Sequence, residues 1–218
     1  MNGQQFYTAF ARLYDRVARL PGVSRVRRRV ARALAPAPGD TVVDFGCGTG
    51  GNHDAVREQV GPEGTYLGVD YASGVLRIAR DRAAGPRTAF LRGDATRPPV
   101  CRADAACATF LVGMLADPAG AVRAWARLVG PGGRLALLNL ERSPARVAAP
   151  LNPLFRLAVR LGSPPGARSD EPAVERLERR VRAAHGQLRR LSTATVADRG
   201  ALGFYRLTAG TVRPESEW

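Results

Sequence analysis

The stretch VVDFGCGTGGN, Val42 to Asn52, decides the fold. An apolar strand carrying one acid, Asp44, runs directly into glycines at 46, 48, 50 and 51. Glycine loses more conformational freedom on folding than any other residue, so this density implies a backbone constraint. A strand-to-helix turn is such a constraint where a ligand must approach the main chain and meet its N–H groups. Dinucleotide-binding folds space these glycines G-x-G-x-x-G; here Gly46, Gly48 and Gly50 give G-x-G-x-G. The next strand candidate ends in Asp70, 20 residues past Gly50. A carboxylate there can accept both hydroxyls of a ribose. The third ends in Gly93-Asp94-Ala95, which places Asp94 and Ala95 at the same sheet edge.

Outward from this stretch, short apolar runs alternate with helical patterns. Strands are expected at 41–46, 65–70, 88–94, 103–112 and 134–140, with helices near 52–60, 73–84 and 118–129. That alternation predicts βαβ units, hence an α/β protein with a mostly parallel sheet covered by helices on both faces. Before it, Phe6, Phe10, Leu13 and Val17, then Val23, Val26, Val30 and Leu34, recur at helical spacing, with a break at Pro21-Gly22. The second of these helices carries Arg25, Arg28, Arg29 and Arg32 opposite its apolar stripe. After Glu141 a helix is expected over 171–190, supported by the Glu175→Arg179 and Glu178→Arg182 pairs, and two closing strands near 188–196 and 202–209. We divide a single domain into an N-terminal helical cap (1–36), a ligand-binding core (40–141), a lid or helical region (142–187) and closing strands (188–210).

The chain has 218 residues and a formal net charge of +14, with 33 basic residues that are all arginine. A positive field attracts nucleic acid, anionic membrane or acidic substrates; solvated helix faces would give the same composition. No run of 18 apolar residues suits a membrane span, and no secretory signal is visible. Cys47, Cys101 and Cys107 show no metal-ligand spacing, which fits free thiols in a reducing cytoplasm and no bound metal.

The motifs VVDFGCGTG, GVDYASGVL, RGDATRPP and LVGPGGRLALLN, in that order, resemble the successive motifs of the class I S-adenosylmethionine-dependent methyltransferases over roughly residues 40–141. The resemblance implies a Rossmann-like fold with a central seven-stranded sheet, and S-adenosyl-L-methionine as cofactor. It implies that Asp44 orients the methionine end, that Gly46, Cys47, Gly48, Thr49 and Gly50 form the loop, and that Asp70 holds the ribose with Tyr71 beside the adenine. It further implies that Asp94 and Ala95 contact the adenine ring and that Thr109 and Phe110 floor the pocket. The segments FARLYDRVARLPGVSRVRRRV and 110–139 are similar to the ubiquinone/menaquinone biosynthesis C-methyltransferases, with Gly113-Met114 standing where that family has Arg-Asn. Tyr14 and Met114 are the corresponding candidate acceptor contacts.

The expected acceptor is a small hydrophobic molecule such as an isoprenoid quinol, reached by a cytoplasmic enzyme that can also sit on an anionic membrane. A phospholipid or natural-product methyltransferase is the alternative enzyme. A non-catalytic S-adenosylmethionine-binding module docked on nucleic acid is the alternative from another class. Only 6% of residues are aromatic, against the stacking platforms that nucleic-acid readers use. His53 reads as a polar residue at a helix start, His185 as a surface residue of the C-terminal helix, and Asp117 as a helix N-cap before Pro118. Residues 151–161 read as a helix that dips into an interface, closes as a lid, or packs on the core. No residue is assigned as general base.

Overall fold

The computed structural model describes residues 21–83, 85–161 and 172–218. The first cap helix, with Tyr14 and Asp15, and part of the lid region lie outside the described residues. Helix α1 (Pro21–Leu34) leads into β1 (Thr41–Phe45), α2 (His53–Val60), β2 (Thr65–Asp70), α3 (Ser73–Arg82) and β3 (Thr88–Arg92). Then follow β4 (Ala105–Thr109), α4 (Pro118–Val129), β5 (Arg134–Leu140), α5 (Asn152–Leu161), α6 (Ala173–Leu191), β6 (Ser192–Gly200) and β7 (Tyr205–Val212). No helix among the described residues is long and apolar enough to cross a membrane.

The seven strands form one sheet in the order β3-β2-β1-β4-β5-β7-β6. The first five are parallel; β7 pairs antiparallel with both β5 and β6. Helices cover both faces, so β1 and β4 are buried on both sides and read as apolar runs. Alternate residues feed two cores. Val43 and Phe45 face α4 and α6 with Trp125, Val181 and Leu188. Val42 faces α1, α2 and α3 with Leu34, Val56, Leu76 and Tyr66. Trp125 stacks on Phe45 at 4.7 Å between centroids, and its Nε1–H donates to the Ala95 carbonyl at 2.7 Å. An indole fully buried in this way has both its apolar body and its polar tip satisfied.

Three details differ from the sequence reading. The strand expected over 103–112 is confined to Ala105–Thr109, and Val112–Met114 form a 3₁₀ turn. The C-terminal helix continues through Leu191, so 188–191 are helical and the closing strands are 192–200 and 205–212. Leu188 and Leu191 extend the helix's apolar stripe, and both are buried against the sheet, which keeps the turn wound. His185 is not a surface residue but fully buried, with Nδ1 2.8 Å from Thr208 Oγ1 and Nε2 3.2 Å from Asn139 Oδ1. It falls four residues after Val181 and three before Leu188, within the same apolar stripe.

Candidate functional site

The site is built where β1 stops. Gly46, Gly48 and Gly50 have φ of +66°, +56° and +77°, the left-handed region that L side chains avoid. The main chain turns there because Gly46 and Cys47 both donate to the Val69 carbonyl, at 2.8 and 3.1 Å, and Gly50 N–H closes onto Cys47 O at 3.0 Å. A Cβ at Gly46 would also stand 2.9 Å from Leu111 Cδ1. The spacing of the glycines is thus a conformational requirement of a loop folded back on β2.

Asp70, the last residue of β2, faces this loop. One oxygen accepts the Gly48 N–H at 2.9 Å and the other the Ala72 N–H at 2.9 Å. Burial pushes its pKa up, offset by those two backbone donors. Each carboxylate oxygen keeps a second lone pair, so a vicinal diol can be bound beside the loop. Tyr71 is exposed next to it, with the Arg92 guanidinium 6.0 Å from its ring centroid. Asp94 turns one oxygen to the Thr96 N–H and Oγ1, both at 2.8 Å, in a tight turn at the same edge. Ala95 is buried beneath it through its carbonyl contact with Trp125.

Asp44 is fully buried and lies below the loop. Asn52 Nδ2 donates to both its oxygens at 3.0 and 3.1 Å, Tyr66 Oη donates at 2.6 Å, and Cys107 Sγ approaches at 3.5 Å. Desolvation raises its pKa, while Tyr66, Asn52, Arg27 and Cys107 pull it back down. Asn52 also donates to Thr109 Oγ1 at 2.9 Å, so one side chain links the ends of β1 and β4 to the start of α2. Asp44 therefore acts by fixing the loop from below. Thr49 and Cys47 are buried loop residues; burial drives the Cys47 thiol well above its usual pKa, which keeps it unreactive.

Two residues of the site, Asn52 and Arg27, were missed in the sequence. Arg27 of α1 is 5% exposed, and its Nη1 donates to Asn52 Oδ1 at 3.1 Å. Its guanidinium packs on Gly51, where any Cβ would overlap it, and lies 5.9 Å from the Phe110 ring centroid. Its Nε is buried without a hydrogen-bond partner. Within the Arg-rich run it looks like one more solvated cation. Its position four residues after Val23 and four before Ala31, on the apolar side, was the available signal.

Thr109 ends β4, and Phe110 follows it at φ +60°. Met114 is half exposed on the 3₁₀ turn Val112–Met114 that follows. His53 starts α2 with Nε2 3.2 Å from Thr88 Oγ1 and its ring edge-on to Tyr66, so it belongs to the packing under the loop. Asp117 caps α4 through the Gly120 N–H at 2.8 Å, ahead of Pro118. No group of three or more metal-ligating side chains gathers among the described residues. The arrangement combines a positive-φ glycine loop, a carboxylate with free lone pairs and a buried guanidinium at one edge. Those groups fit a nucleoside that carries a carboxylate-bearing chain.

Comparison with known proteins relates the chain to methyltransferases. Residues 42–133 match a family described as a methyltransferase domain. The chain is 36% identical over 135 residues to a Nocamycin O-methyltransferase of Saccharothrix syringae, covering 59% of this chain and 48% of the relative. It is 34% identical over 146 residues to a 2-phytyl-1,4-naphtoquinone methyltransferase of Thermosynechococcus vestitus, covering 64% and 65%. The chain thus spans about half to two thirds of the length of these curated relatives. A solved S-adenosylmethionine-dependent methyltransferase from Aquifex aeolicus shares the fold with a TM-score of 0.58 at 15% identity, covering 85% of this chain and 89% of that one.

Proposed function

Since the chain is related to the class I S-adenosylmethionine-dependent methyltransferases through its methyltransferase domain, we propose that it methylates a small hydrophobic acceptor, such as an isoprenoid quinol. The observation that carries the reading is the Gly48–Asp70 hydrogen bond, which joins a positive-φ glycine loop to a diol-binding carboxylate at one edge of a parallel sheet. When bound, S-adenosyl-L-methionine supplies a sulfonium methyl group for in-line transfer to a nucleophile.

The residues have separable tasks. Asp70 accepts the ribose hydroxyls and Tyr71 covers the adenine. Asp94 keeps one carboxylate oxygen for the adenine amino group while the other holds its turn. Gly46, Gly48 and Gly50 let the backbone approach the methionine chain, and Arg27 neutralises its carboxylate. Asp44, through Asn52, holds loop and β4 in register, so Thr109 and Phe110 floor the reacting end. Alignment of nucleophile and methyl group is the main contribution of such a site and is worth several kcal/mol or more. The quinone-methyltransferase relative supports a quinol acceptor. The Nocamycin O-methyltransferase relative favours a second reading, a natural-product hydroxyl.

The test is incubation with methyl-labelled cofactor and a lipid extract, then identification of the labelled product. Label in the quinone fraction supports the first reading. Label in a natural-product hydroxyl, supplied as a separate panel, supports the second. Cofactor binding without label in either refutes both acceptor classes.

A further inference from the structure

Beyond β4, along the same sheet edge, β5 ends beside the start of β7 and the end of β6, with α6 packed across them. A cavity of about 240 Å³ opens there, and six charged residues line it: Arg142, Arg182, Arg199 and Arg206 with Glu141 and Glu178. We propose that this cavity is an anion-binding site that takes a phosphate or carboxylate group.

Glu141 is 6% exposed and sits between two guanidinium groups, with Arg199 Nε at 2.7 Å and Arg206 Nε at 2.8 Å. Both contacts are of charge alone, because neither Glu141 Oε1 nor Arg206 Nε makes an aligned hydrogen bond. Glu178 is also buried and is met by Arg142 Nη2 at 3.0 Å. Two carboxylates therefore serve three arginines, and Arg182 makes no ion pair among the described residues. The lining carries a formal excess of two positive charges. Like charges gathered in a concave, low-dielectric wall focus the field on a small anion.

A purely structural network would clamp the β6–β7 hairpin to β5 and α6, and the two carboxylates with one arginine each would suffice for that. Two further arginines and an open volume are left over. Planar guanidinium forks match the oxygens of phosphate and carboxylate. Beside the cavity, Ser143 donates its N–H to Asn152 Oδ1 at 3.1 Å, and Asn152 starts α5, whose Leu154 and Leu157 are exposed. The anion can therefore be free phosphate, a lipid phosphate or the acid group of an aromatic molecule, all sharing one oxyanion chemistry. The inference stands independently of the methyl-transfer reading.

Calorimetric titration with inorganic phosphate at low ionic strength tests it. Saturable binding to one site is expected, weakened at least tenfold in Arg182→Gln and abolished in Arg182→Glu. Arg182 is exposed and unpaired among the described residues, so both variants should melt as the wild type does. Arg32→Gln, which neutralises an exposed arginine of α1, should leave binding unchanged. Parallel titrations with octyl phosphate and benzoate identify the source. Tighter octyl phosphate marks a lipid headgroup, tighter benzoate an aromatic acid, and no gain from either marks free phosphate. Absence of saturable binding to all three probes, or equal loss in Arg32→Gln and Arg182→Gln, overturns the site.

Discussion

The backbone N–H of Gly48 donates to Asp70 Oδ2 across 2.9 Å, joining the loop after β1 to the carboxylate that ends β2. One side chain thus shapes the glycine loop and offers the lone pairs for a diol. Replacing Asp70 with alanine removes both functions. Charge-assisted hydrogen bonds are worth about 1.5–3 kcal/mol each. Affinity for S-adenosylmethionine should fall at least tenfold by calorimetry while the far-UV spectrum holds. Unchanged affinity would place the ribose elsewhere.

Gly48 itself sits at φ +56°. A β-carbon in that region costs about 1–2 kcal/mol, and a β-branched one more. Gly48→Val should abolish cofactor binding, whereas Gly48→Asn, which tolerates positive φ, should retain part of it. Equal, normal binding by both variants would assign the glycines to packing alone.

Arg27 is tested by comparing two ligands. Arg27→Met keeps the buried stem and removes the guanidinium that meets Asn52 and packs on Gly51. Affinity for S-adenosylmethionine should drop about tenfold or more, as for loss of one charged hydrogen bond. Affinity for 5′-methylthioadenosine, which lacks the methionine carboxylate, should stay within twofold. A parallel loss for both ligands would reduce Arg27 to a scaffold role.

The α/β alternation, the glycine turn after β1 and the place of Asp70 at the end of β2 were legible because each is fixed by local chemistry: glycine where φ is positive, a carboxylate where a buried strand ends. Arg27 and His185 were not, for a common reason. Both are polar residues on the apolar stripe of a charged helix, and residue type pointed outward while spacing pointed inward. The partners that make their burial tolerable, Asn52 for Arg27 and Asn139 with Thr208 for His185, lie far away in sequence. The start of β6 was placed too early because Leu188 and Leu191 suit either a strand or the last helical turn.

His185 has a consequence for pH. Burial, with Arg206 and Arg189 nearby, lowers its pKa to about 3, against an ordinary value of 6.5. Between those values the unfolded chain holds the proton and the native protein does not, so stability rises with pH across that window. The contribution is complete above 6.5 and is lost as pH falls towards 3. The slope from one group is at most about 1.4 kcal/mol per pH unit. Asp44 and Asp70, whose pKa values are raised, act in the opposite sense, so the measurement is a difference. Urea unfolding of wild type and His185→Gln at pH 7, 6, 5 and 4 should show the wild type losing more stability on acidification. Parallel curves would mean that His185 is protonated in place.

The outer face of α1 presents Arg25, Arg28 and Arg32 to solvent, while Arg29 is also drawn to Asp198 at 3.6 Å. The protein should sediment with liposomes containing anionic lipid and less with neutral ones, and salt should weaken the effect, because screening acts over about 8–10 Å. Substituting Arg25, Arg28 and Arg32 with glutamine should reduce sedimentation without changing S-adenosylmethionine affinity. Equal sedimentation with both lipids would leave these arginines as solvated surface.

The position of β7 between β5 and β6 also dictates an order of events during synthesis. Residues 134–140 form the fifth strand of a parallel set whose other four neighbours emerge earlier, yet one edge of β5 is matched only by residues 205–212. As the ribosome adds residues in sequence, that edge stays open while some 65 more are made, and β6 emerges before the strand it must pair with. Closure of the sheet is therefore a late step with long loops, slow by its topology. During that interval α1 and α4, already made, cover the faces of β5 but not its edge, so a stall in translation between residues 140 and 205 prolongs the exposure of that edge.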